Sequence, residues 1–344
     1  MNIMKTKTYS ITLTAAILGL ASVFSLFSGC GGNSDETRVA FVTNQQADFW
    51  NIAKAGCADA EKEFGIKVEV KMPADGTAVI QKQIVEDLIS SGIDAIAISP
   101  LDADNQTKWL DGIAAKVPLI THDSDAPKSK RICYIGMDNY KAGRMCGELV
   151  KDALPEGGGV MLLIGRMEQN NSKHRRQGVI DELFGRDYPE SLDKLVEDKP
   201  YTGEGSLLDT GKYQILDTLT APTNTAKQKA ADAITGYPEM KAMVGLFEYN
   251  PPACYQALKQ VGKLGEIKLI GFDENEVTLQ GIKDGHITGT IVQDPYQYGF
   301  QSVKILKDLL EKKPVDDFID IPPRKITKEN VDAYWADLNA KKGG

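Results

Sequence analysis

Residues 38–64 read RVAFVTNQQADFWNIAKAGCADAEKEF. Val39, Ala40, Phe41 and Val42 are apolar in succession, without alternation, which is the pattern of a strand buried on both faces. After them Ile52, Ala53, Cys57, Ala60 and Phe64 recur at helical spacing, so a helix is expected over residues 48–64. The join, TNQQADFW, sets two large aromatics and an acid beside a run of amides. Asp48 is placed to cap the helix by accepting from its free N–H groups. Phe49 and Trp50 stand too early in that helix to belong wholly to its buried stripe, so they are available to line a cleft.

The same unit recurs along the chain. Helical patterns fall near residues 78–91, 105–116, 140–153, 173–184, 225–234 and 251–261. Between them run KVEVKM, AIAISP, VPLITH, ICYIGM, GVMLLIG, YQIL, AMVGLF, IKLIGF and GTIVQ. Strands that are apolar throughout and separated by single helices indicate α/β architecture, with parallel sheets covered on both faces. So many strands exceed one comfortable sheet. The expectation is two similar doubly wound parallel-sheet lobes joined by a hinge, the first from residues 38–137 plus 294–322, the second from 138–293 plus 323–344. From residue 186 to 211 the pattern lapses, which marks an irregular surface insertion.

The first residues read as an export signal: Lys5 and Lys7, an apolar stretch, then FSLFSGC ending at Cys30. The arrangement resembles a bacterial lipoprotein signal over residues 1–30, with Cys30 as the lipid-carrying residue and residues 31–37 as a polar tether. The other reading is an uncleaved membrane anchor, for which the apolar stretch is short. Of the remaining cysteines, Cys57, Cys133, Cys146 and Cys254 all sit in apolar patterns, and either one disulfide or buried free thiols would suit an exported chain. A formal net charge of -8 with no long Lys/Arg cluster argues against a nucleic-acid partner.

The polar residues that end the strands carry the functional signal. VAFVT runs into Asn44, AIAI into Ser99, LITH into Asp123, YIGM into Asp138, VGLFEY into Asn250, LIGF into Asp273 and TIV into Gln293. In open parallel sheets the ligand crevice lies outside the carboxyl ends of the strands. Any one of these residues is as readily explained as the cap of the next helix. The set is not, because capping does not require so many carboxylates and Gln293 precedes a better cap, Asp294. Carboxylates, amides and hydroxyls beside a flat aromatic wall suit a polyol. Arg175, in NNSKHRRQG, adds a planar donor fork that could bridge two hydroxyls, or could be a surface charge beside Arg176.

Nothing marks an enzyme. There is no G-x-S-x-G elbow, the GGG at residues 157–159 precedes a strand and so is not a phosphate loop, and His122, His174 and His286 lack metal-ligand spacing. His122 is expected to be structural. No cofactor and no metal is implied.

In order and spacing, VAFVTNQQADFW, AISP, THD, IGMDN, IGFDE and GTIVQDPYQYG resemble the ribose-type periplasmic sugar-binding proteins over residues 38–312, the insertion excepted. That resemblance implies a type I periplasmic binding protein fold and binding of a monosaccharide or sugar-like polyol between two closing lobes. It implies delivery to an inner-membrane ABC permease, or a ligand sensor for chemotaxis or a signalling kinase without transport. Together with the signal it places a monomer in the periplasm or at the cell surface, held to the membrane by lipid on Cys30. The family's stacking aromatics fall on Phe49 and Trp50, with Phe272 as a third apolar wall. Its hydroxyl partners fall on Ser99, Asp123, Arg175, Asn250, Asp273 and Gln293, with Asn44 and Asn171 as further contacts and Asp138 where the chain first crosses between lobes. The chain departs from the ribose pattern at Ala47 and Ser99, where Asn is usual, and at Ser124, where Arg is usual, which points away from ribose itself.

Overall fold

The computed structural model describes residues 36–341 except 193, 194, 196, 199–207 and 210. The expected signal with Cys30, and the tether up to residue 35, lie outside the described residues. Among those residues no helix is long and apolar enough to cross a membrane.

Two sheets organise the chain. The first is built from β1 (Arg38–Val42), β2 (Lys67–Lys71), β3 (Ala95–Ile98), β4 (Leu119–His122), β5 (Tyr134–Gly136) and β12 (Phe318–Asp320), in the order β12-β5-β4-β3-β1-β2. Every neighbouring pair in it is parallel. The second contains β6 (Gly158–Ile164), β7 (Leu208–Asp209), β8 (Tyr213–Thr220), β9 (Met240–Gly245), β10 (Lys268–Phe272), β11 (Gly289–Val292) and β13 (Arg324–Ile326), in the order β13-β11-β10-β9-β6-β8-β7. Its inner strands are parallel, and β7 and β13 close its two edges antiparallel.

The uninterrupted apolar strands have the cause inferred for them. Alternate residues of one strand serve opposite faces. Val39, Phe41, Ala97 and Ile120 pack to one side of the first sheet, while Ala40, Val42, Ile96 and Ile98 pack to the other. In the second sheet Leu162, Val244 and Ile270 face one layer, and Met161, Leu163 and Met243 the other.

The helices are α1 (Asp48–Phe64), α2 (Ala78–Ser90), α3 (Ala103–Ala114), α4 (Asn139–Ala153) and α5 (Asn170–Leu183), followed by α6 (Ala226–Gly236), α7 (Asn250–Gln260), α8 (Glu276–Lys283), α9 (Pro295–Leu310) and α10 (Val331–Lys341). The chain leaves the first sheet after β5, returns to it after β11, and crosses again between β12 and β13. Helices α8, α9 and α10 and strands β7, β12 and β13 add to what the sequence pattern showed. The insertion is pinned to α5, where Arg176 Nη1 donates to the Asp198 carbonyl at 2.6 Å and the Asp198 N–H donates to Gln177 Oε1 at 2.7 Å.

One expectation fails here. Asp48 is the first residue of α1 rather than its cap; the cap position is Ala47, which has no side chain to offer, and Asp48 Oδ1 accepts instead from Asn51 Nδ2 at 3.3 Å. Its charge still stands at the positive end of the helix dipole. The cysteines are settled too: Cys57, Cys133, Cys146 and Cys254 are buried free thiols.

Each lobe contains a pair of helices that meet at glycine. A Cβ on Gly56 of α1 would lie 2.0 Å from the Tyr296 carbonyl oxygen, and one on Gly299 of α9 would lie 2.0 Å from that of Ala53. In the other lobe a Cβ on Gly143 of α4 would lie 2.1 Å from the Arg175 carbonyl oxygen, and one on Gly178 of α5 would lie 2.2 Å from that of Tyr140. Only glycine permits such contact. The second pair matters to function, because it fixes the backbone of Arg175 directly against α4.

Candidate functional site

The seven strand-end residues divide between capping and other contacts. Only Asp138 caps: its Oδ1 accepts from the Lys141 N–H at 2.8 Å, and its other oxygen takes the Tyr188 hydroxyl. Helices α2, α3, α8 and α9 are capped by Thr77, Asp102, Asn275 and Asp294, leaving their strand-end neighbours free for other partners.

On the first lobe these residues form one cluster. Ser99 Oγ donates to Asp123 Oδ2 at 2.9 Å, and Asn44 Nδ2 reaches Ser99 Oγ at 3.2 Å and Asp123 Oδ2 at 3.4 Å. Trp50 Nε1 donates to Asn44 Oδ1 at 3.2 Å, which orients both the amide and the indole. Phe49 meets Trp50 edge to face, with centroids 4.8 Å apart. Behind them His122 stacks on Phe41 at 3.9 Å; burial drives its imidazole down to about 3, so it stays neutral and structural.

The second lobe repeats the device. Asp123 and Asp273 both adopt left-handed backbone, with φ of 60° and 63°. For a residue with a Cβ this conformation is strained, and Asp is among those that tolerate it best. Both backbones are held in the same way. The Asp123 N–H donates to the Ile135 carbonyl at 3.0 Å and its carbonyl accepts the Tyr134 hydroxyl at 2.9 Å. The Asp273 N–H donates to the Ile291 carbonyl at 2.8 Å and its carbonyl accepts the Thr290 hydroxyl at 2.9 Å. Gln293 Nε2 donates to Asp273 Oδ1 at 2.8 Å, and Tyr298 donates to Gln293 Oε1 at 2.9 Å.

Arg175, 1% exposed, lines the same space as both carboxylates and counters the burial that raises the pKa of each. Its Nε donates to Asn139 Oδ1 at 2.8 Å and its Nη1 to the Leu246 carbonyl at 3.0 Å. The guanidinium lies over the Phe272 ring at 4.1 Å and the Phe247 ring at 4.9 Å. Its Nη2 is 3.9 Å from Asp123 Oδ1 on the opposite lobe and has no hydrogen-bond partner among the described residues. A buried charged donor left without a partner is costly, so this atom marks where an acceptor is missing. Arg175 lines an interlobe space together with residues of both lobes.

Known proteins match this chain in sequence and fold. Residues 39–314 match the periplasmic binding protein domain. The chain belongs to the periplasmic binding protein family. The ribose import binding protein RbsB of Bacillus subtilis (strain 168) is 26% identical over 303 residues, covering 87% of this chain and 90% of that one. The D-ribose/D-allose-binding protein of Pseudomonas aeruginosa is 24% identical over 333 residues, covering 92% and 97%. A solved ABC transporter solute binding protein of Burkholderia graminis, in complex with D-arabinose, has a TM-score of 0.75 at 25% identity and covers 87% of this chain and 98% of that one. The likeness is thus to the ribose-type sugar binders, and these relatives are solute-binding proteins.

Within this periplasmic binding protein the expected contacts divide. Asn44, Phe49, Trp50, Asp123, Arg175, Asp273 and Gln293 line the interlobe space. Ser99 lies behind Asp123 as its hydrogen-bond donor. Phe272, expected as an apolar wall, is fully buried beneath Arg175, and Phe247 is the wall on that side. Asn250 is the first residue of α7 and donates to the Ala221 carbonyl at 2.8 Å, while its Oδ1 has no hydrogen-bond partner among the described residues. Asn171 is fully buried beside the Asp123 carboxylate, and neither end of its amide makes a well-formed hydrogen bond among the described residues. Asp138 is outside the space. Sequence reasoning missed Arg166, Gln169, Glu248 and Tyr249, which also line it. Arg166 stands two residues past the end of β6, a strand-end position like those of the other lining residues.

Burial raises the Asp123 carboxyl, against the pull of Arg175, Ser99 and Asn171. Burial pushes Asp273 up to about 7, opposed by Arg175 and Gln293 and reinforced by Asp123 and Glu248; burial also raises its neighbour Glu274. A carboxyl whose pKa is raised on folding holds its proton more tightly folded than unfolded. Its contribution to stability is therefore complete below about 4 and is lost as pH rises toward 7. Asp273→Asn, which keeps the shape and tolerates the left-handed backbone, should gain stability relative to the parent between pH 4 and 7, on the order of 1 kcal/mol per pH unit. Denaturant unfolding of ligand-free protein across that range checks this, and a difference that stays constant with pH contradicts it.

Proposed function

We propose that the protein binds a monosaccharide or sugar-like polyol between its lobes and delivers it to an ABC importer, tethered to the membrane by lipid on Cys30. The observation that carries the reading is the unpartnered Arg175 Nη2, 3.9 Å from Asp123 in the space that Asp273 also lines. A sugar hydroxyl both accepts and donates. One hydroxyl can accept from Nη2 while giving its proton to a carboxylate, and so answers donor and acceptor together. Phe49, Trp50 and Phe247 supply flat apolar surface for C–H groups. The carboxyls Asp123, Asp273 and Glu248 beside the guanidiniums of Arg166 and Arg175 offer acceptors and donors together, which the hydroxyls of a neutral polyol can answer.

Closure around a ligand is the established motion of periplasmic binding proteins. Here it follows from where the partners sit. Asp123 belongs to the first sheet's lobe and Arg175 to the other, so only the closed form offers both to one hydroxyl. A ligand shifts the balance of forms by that difference alone. The sugars named for the relatives, D-ribose, D-allose and D-arabinose, are the first to titrate, followed by a wider panel of pentoses, hexoses and polyols.

By calorimetry, Asp123→Ala should bind the sugar that the parent binds at least about tenfold more weakly, the effect of removing a charged hydrogen-bond acceptor. Unchanged affinity contradicts the site. In cells lacking the protein, uptake of that sugar should fall and be restored by the parent gene but not by Asp123→Ala. Cys30→Ser should leave the membrane fraction. Undiminished uptake removes the importer role, and a Cys30→Ser protein still sedimenting with membranes removes the lipid tether.

A further inference from the structure

Asn139 opens α4 directly after the chain leaves the first sheet, and it is 4% exposed. Its amide is engaged at both ends. Arg175 Nε, which can only donate, reaches Oδ1 at 2.8 Å, and this decides which end of the amide faces which way. Nδ2 therefore points to the Tyr134 hydroxyl at 3.2 Å and the Met137 carbonyl at 3.3 Å. Having accepted from Asn139, the Tyr134 hydroxyl gives its own proton to the Asp123 backbone carbonyl at 2.9 Å. The Asp123 carboxylate in turn lies 3.9 Å from Arg175 Nη2. The four residues form a circuit with one gap, between Arg175 Nη2 and Asp123. Two of them, Tyr134 and Asp123, belong to the first sheet's lobe and Arg175 to the second, while Asn139 sits at the crossing between them.

We propose that Asn139 is a positioning residue for ligand binding. Its single amide holds the Arg175 fork so that Nη2 is the nitrogen left for the ligand, and through Tyr134 it sets the backbone that aims Asp123. Donor and acceptor are thereby placed from the hinge itself. The proposal rests on the sugar reading above, in which Arg175 and Asp123 meet the ligand.

Asn139→Leu fills the same space with no hydrogen bond, and Tyr134→Phe removes one hydroxyl. Affinity for the best-bound of D-ribose, D-allose and D-arabinose, or of the wider panel, is measured by calorimetry on the parent, both single variants and the double variant. The expected loss is about tenfold to a hundredfold for Asn139→Leu, with the double variant close to the worse single one, because the two act through one circuit. Losses that multiply, or an Asn139→Leu affinity within twofold of the parent, overturn the proposal. Independently of any sugar, NMR of the ligand-free protein should show a slowly exchanging Arg175 Nε–H signal, identified by its absence in Arg175→Met and lost in Asn139→Leu. If that signal persists in Asn139→Leu, the positioning role is wrong even if the parent binds sugar. If no sugar binds but the signal is lost, the positioning stands and the sugar reading fails. Asn139→Asp, which keeps the acceptor for Arg175 while removing the donor to Tyr134, serves should Asn139→Leu not fold; it should retain the signal yet bind weakly, and full affinity would count against the circuit.

Discussion

A buried guanidinium must have its donors answered, and the site is arranged around one that is not fully answered. Arg175 has Nε and Nη1 tied to Asn139 and Leu246, its plane resting on Phe272, and Nη2 left facing a carboxylate of the opposite lobe at 3.9 Å. That gap is too long for a hydrogen bond and short enough for one oxygen to bridge. A hydroxyl oxygen placed there would accept from Nη2 and donate to Asp123, and for a buried charged donor such a partner is worth about 1–3 kcal/mol. The rest of the fold makes this specific: Gly143 and Gly178 let α4 and α5 touch at their backbones, so the arginine cannot drift from its place.

The two halves of the site solve one problem in one way. Each lobe ends a strand with an aspartate in left-handed backbone, held by a neighbouring strand through its N–H and by a hydroxyl through its carbonyl. Strain of this kind costs on the order of 1 kcal/mol per residue and persists only where the surroundings determine it. What it gains is direction: both carboxylates turn from the sheets into the space between the lobes. Because both are buried, both are raised, and Arg175 is the cation that offsets them. A hydroxyl donating to either carboxylate would favour its ionised form.

How much of this the sequence disclosed depended on the range of the forces involved. The strands were legible because burial on both faces leaves unbroken apolar runs such as Val39, Ala40, Phe41 and Val42. The strand-end rule found Asn44, Asp123, Asp273 and Gln293, because chain direction alone delivers those positions to the crevice. It also gathered Asp138, which turned out to do the ordinary work of a cap, and cap and contact look alike in a sequence. Phe272, expected as an apolar wall, is buried under the Arg175 guanidinium instead, since which aromatic lies there depends on how α5 packs. Glu248 and Tyr249 were not found, because they reach the cleft through loop conformations that no periodicity encodes. Asn139 escaped notice beside a carboxylate, although it is the residue that touches both sides of the crossing.

If an oxygen supplied by the ligand is what joins Arg175 to Asp123, then binding and closure are one event. The most direct measurement is small-angle X-ray scattering of the parent and of Arg175→Met, with and without a saturating sugar. The account predicts that the radius of gyration of the parent falls on adding sugar, while that of Arg175→Met keeps its ligand-free value. Closure of Arg175→Met to the same extent as the parent would contradict it.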